Sequence, residues 1–131
     1  NSMTATDEYV IHGDEINRLV DAFKLEHRML PGQVFEIIQK KLIQNLIDQI
    51  DKGQFHTVRF SNLEAIASDR HKDFLYAICG GLAELIDTLT EKGLTVKGTV
   101  CDPGVLPWNL AHRIDKNFKG LGQVQDEVRE S

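Results

Sequence analysis

Cys101 and Asp102 stand at the end of the segment Leu94–Val100, where Leu94, Val96, Gly98 and Val100 alternate with Thr95, Lys97 and Thr99. That two-residue period predicts a half-buried strand. A thiol at the carboxyl end of a strand lies on the edge where α/β sheets gather their ligands. It becomes a nucleophile when a neighbouring base lowers its pKa, and His71 or His112 would have to be that base. Neither is close to Cys101 in sequence. The simpler expectation is a small apolar residue closing the strand, with Asp102 opening the turn Asp102-Pro103-Gly104. A small enzyme with a thiol at Cys101 remains one alternative.

The second group is Trp108, His112, Arg113, Lys116 and Lys119. The four basic residues fall three or four apart and share a helix face opposite Leu110, Ile114 and Phe118. Pro107 pre-sets the backbone for a helix start, which puts Trp108 in the first turn with one side of its ring against the core. Such a face would suit phosphate or an acidic protein patch, so a regulator touching nucleic acid through residues 108–119 is the other alternative. The competing expectation is a solvated helix face with its cations near the C-terminus, complementing the helix dipole.

Other chemistry leaves little trace. No Gly-rich loop followed by Lys-Ser/Thr cradles a phosphate, and no G-x-G-x-x-G links strand to helix. There is no C-x-x-C, H-E-x-x-H or G-x-S-x-G. His71-Lys72-Asp73 shares letters with the H-x-K-x-x-x-x-D pattern, but Asp73 stands where that pattern requires lysine. His12, His27, His56, His71 and His112 are far apart, and none has a histidine or cysteine three or four residues away. Zinc requires converging ligands, so neither a metal nor a cofactor is expected.

The chain has 131 residues, 41% hydrophobic and 27% charged, the proportions of one globular domain able to build a core without disulfides. Residues 1–7 and 123–131 read as flexible tails. The net charge of −5 argues against bulk electrostatic binding to nucleic acid or an anionic membrane. Residues 1–15 carry four acids and no base, whereas Pro107–Gly122 carries Arg113, Lys116 and Lys119 against Asp115 alone. The apolar run Leu75 to Cys79, even with Phe74 before it, is too short to span a membrane. The first residues lack the pattern of a secretory signal, so a cytoplasmic protein with reduced thiols is expected.

The elements that must position these residues follow from periodicity. Tyr9–His12 reads as a short edge strand, followed by a helix capped by Asp14 and buried through Ile16, Leu19, Val20, Phe23 and Leu30. Leu30-Pro31-Gly32 breaks it. A second helix is expected from about Gln33 to Lys52, stopping at Gly53. Its apolar residues from Val34 to Ile50 cover more than half of the circumference, which calls for neighbours on two sides. Gln54–Phe60 reads as a strand. A long amphipathic helix follows, with Phe74, Leu75, Ile78, Cys79, Leu82, Leu85, Ile86 and Leu89 on one face and Gly93 as its stop. Gly80-Gly81 inside that helix predicts close approach by another element. Trp108–Phe118 is the last helix.

The fold class expected is α+β: a helix-rich single domain over 1–131, about four helices on a two- or three-stranded sheet containing a β-α-β unit. Two strands alone would be marginal, so residues 9–12 or a second subunit should extend the sheet. With no catalytic constellation, and a second helix more apolar than one neighbour needs, the expected function is a non-catalytic intracellular interaction or regulatory domain. A homodimer is the expected state, with a further protein partner open, nucleic acid not favoured and no membrane.

Overall fold

Alternation of apolar and polar residues builds the sheet. In the computed structural model β1 (Glu8–His12), β2 (Thr57–Ser61) and β3 (Thr95–Gly98) pair in the order β1-β2-β3, all parallel. The structure describes residues 8–26, 28–67, 69–100 and 105–115, without the side chains of 69–71 and 109. Ile11 pairs with Phe60 and Phe60 with Gly98, while Val10 pairs with Arg59 and Arg59 with Lys97. One face therefore carries Ile11, Val58 and Phe60 into the core, with Tyr9 and Val96 packed at its margin. The other face carries Glu8, Val10, Arg59 and Lys97. Parallel sheets are usually covered on both sides. Here Arg59 Nε and Nη2 donate to the Glu8 carboxylate at 2.7 and 3.2 Å, and Lys97 Nζ lies 3.1 Å from Glu8 Oε2. The residues of the second face thus satisfy one another's charges across all three strands.

Residues 8–12 supply the third strand, so the sheet is extended within the chain. Strand β1 leads into α1 (Gly13–Phe23), with His12 rather than Asp14 at the cap position and Asp14 and Glu15 in the first turn. This helix is shorter than its apolar pattern suggested. It ends where Lys24 turns left-handed at φ 54°, and Leu30 does not join its stripe. Leu30 instead caps α2 (Pro31–Ile37), because proline at the first helical position starts a helix as readily as it ends one. Gln33 Oε1 accepts from the Leu30 backbone N–H at 3.0 Å.

Helix α2 runs without a break into a π-helical turn (Ile38–Ile43) and then α3 (Gln44–Gly53), forming one rod over residues 31–53. The π turn explains the broad apolar arc. Val34, Ile38, Leu42, Leu46 and Ile50 are all buried at a strict spacing of four. On a regular α-helix each such step drifts by about 40°, so the stripe would wander about 160° over the rod. A π turn takes in one extra residue and rotates the rest of the rod back by about 100°. The extra apolar residue, Ile43, is buried too. Most of that arc is therefore covered by the chain itself, with Phe35, Ile37 and Ile47 left half-buried.

After β2, two 3-10 turns (Leu63–Ile66 and Asp69–Phe74) lead to α4 (Leu75–Glu91). Phe74, Ile78, Cys79, Leu82, Leu85, Ile86 and Leu89 are buried in the face their spacing predicts. Glycine at 80 and 81 lets the rod approach. A Cβ on Gly81 would stand 3.0 Å from Ile38 Cγ2 and 3.3 Å from Ile43 Cγ1, and one on Gly80 3.2 Å from Phe35 Cε2. Gly93 takes φ +90° at the turn into β3. The result is four helices (α1, the rod, α4 and α5, Trp108–Ile114) on a three-stranded parallel sheet with β-α-β connections, an α+β fold. Among the described residues no helix is long and apolar enough to cross a membrane.

Candidate functional site

Helix α5 is held by its apolar side. Leu110, Ala111 and Ile114 are buried, and Ile114 lies directly on β3: a Cβ on Gly98 would stand 2.5 Å from Ile114 Cγ2 and 2.7 Å from Phe60 O. Only glycine at 98 leaves room for this seat. The helix stops at Ile114, short of Phe118. Asp115 is extended and its Oδ2 accepts from the Val100 N–H at 3.2 Å, tying the helix end back to the chain beyond β3.

Three of the five residues expected on the cationic face lie in this helix. Trp108 is 45% exposed and stacks on His112, ring centroids 4.0 Å apart and planes 17° from parallel. His112 Nδ1 lies 2.9 Å from Trp108 O. A carbonyl oxygen only accepts, so the proton sits on Nδ1 and Nε2 is left as an acceptor when the ring is neutral. Arg113 does not stand out into solvent. Its Nε and Nη2 donate to Asp87 Oδ1 and Oδ2 on α4 at 2.9 and 3.4 Å, and its side chain is mostly covered. Its fork is engaged by a carboxylate of the same chain. Lys116, Lys119, Cys101, Asp102 and His27 lie outside the described residues, as do the tails expected over 1–7 and 123–131.

Cys79, the thiol within the described residues, is buried on the apolar face of α4, and burial pushes its pKa up to about 11. A thiol in that state is a packing group, since the thiolate is the reactive form. No group of three or more His, Cys, Asp or Glu among the described residues converges as metal ligands would.

Among the described residues, two clefts flank the rod. One, of about 460 Å³, opens between the π turn and α4, with Ile43 and Ile47 at its base and Glu84, Asp87 and Glu91 along its wall. Two of those acids already have partners: Gln39 Nε2 donates to Glu84 Oε2 at 2.9 Å, and Asp87 holds Arg113. The other, of about 590 Å³, lies where the start of the rod meets the start of α4. It is lined by Met29, Pro31, Val34, Asp73, Phe74, Tyr76 and Ala77. Of these Tyr76 is 91% exposed, and Leu30, between the lining residues Met29 and Pro31 in sequence, is 66% exposed.

Sequence reasoning missed this second cleft. Part of the signal was present: Tyr76 lies two residues before Ile78, about 200° around the helix from that buried position. Leu30 fits the apolar spacing of the first helix but belongs to the start of the rod, which hid the rest. Neither residue is needed by the fold, whereas the α5 aromatics and Arg113 are engaged by it.

Comparison of the chain with protein-family models found no match, and comparison with the curated proteins and with the solved structures found none either.

Proposed function

We propose that this chain is a non-catalytic intracellular interaction domain that docks a partner at the cleft between the start of the rod and the start of α4. One observation carries the reading: Tyr76, 91% exposed, lines a mostly apolar hollow of about 590 Å³, and Leu30, between the lining residues Met29 and Pro31 in sequence, is 66% exposed. Scattered exposed apolar residues are ordinary, but a cluster around a concave surface marks a site of association. The walls are set by packed elements. Val34 and Phe74 are buried in the core and Pro31 begins the rod, so the hollow is pre-formed. Pre-formed apolar surface lowers the ordering cost of binding, which suits a regulatory contact.

The test is photo-crosslinking from p-benzoylphenylalanine placed at position 76, with position 41, exposed on the rod and outside both clefts, as the control. Irradiation in native cells should give a discrete adduct from position 76, identified by mass spectrometry, and none from position 41. Equal background from both positions would falsify the docking site. Nucleic acid contact through α5 is less well supported, because Arg113 already holds Asp87.

A further inference from the structure

We draw no further inference here: the strongest candidate, the second face of the parallel sheet with Glu8, Val10, Arg59 and Lys97, carries nothing, because its charges are paired within the face itself and nothing in the structure shows what covers it.

Discussion

Replacing Gly80 and Gly81 separately by alanine tests how the rod is seated on α4. Alanine in a helix interior is favoured over glycine by about 1 kcal/mol, and both substitutions gain that contribution. The surroundings differ. At position 80 the new methyl meets the edge of the Phe35 ring at 3.2 Å. That ring is half-buried and can swing aside, so Gly80→Ala should stabilise by about 0.5–1 kcal/mol. At position 81 the methyl meets Ile38 Cγ2 at 3.0 Å and Ile43 Cγ1 at 3.3 Å, both buried branches on the π turn. Neither can turn without rotating the rod, and overpacking of this kind costs about 1–3 kcal/mol. Gly81→Ala should therefore be neutral to destabilising by about 2 kcal/mol. Urea unfolding should separate the two variants by about 0.5–3 kcal/mol, Gly81→Ala the less stable, and thermal melts by roughly 2 °C or more. If Gly81→Ala proved as stable as Gly80→Ala, the rod would not be clamped on α4 at the π turn.

Leu82→Ala removes a fully buried side chain from the middle of α4 and should cost about 2–5 kcal/mol in lost burial and cavity; a melting temperature within a degree of wild type would contradict the facing of α4. Glu8 is held below its ordinary pKa of 4.5, first by its hydrogen bond from Arg59 and then by that from Lys97. A carboxylate with a depressed folded-state pKa contributes stability that is complete above the unfolded value and is lost as pH falls through the folded one. Thermal melts in acid should show the wild type losing stability below about pH 4.5 in part through Glu8, and Glu8→Gln should remove that part of the fall. An unchanged acid limb would show that the three-strand ion network adds nothing.

Much of the fold was legible in the chain because it rests on local period and on residues with narrow backbone preferences. The stripe from Phe74 to Leu89 is buried as its spacing requires, and Gly93 turns at φ +90° where only glycine is comfortable. Gly80-Gly81 announced a close approach, and the rod supplies it. The first strand and the β-α-β connection follow from short alternating segments separated by helices. Boundaries were less legible, because caps compete. Lys24 and Gln54 both adopt left-handed conformations that carry no glycine signature, and Pro31 starts a helix rather than merely ending one.

Which surfaces are left over was settled by packing alone. The rod's wide apolar stripe looked like an unfilled interface, but a π turn rotates it back onto α4 and the rest of the core, a change of pitch that no residue pattern specifies in advance. Arg113 looked like a free cation until α4 brought Asp87 to it across 26 positions of sequence. Met29 and Tyr76 lie far apart in the chain, and nothing local says that they line one hollow or that Tyr76 escapes burial. Periodicity is a property of neighbours along the chain and can be read from it. Leftover surface depends on how every other element packs, and exists only once the core has closed.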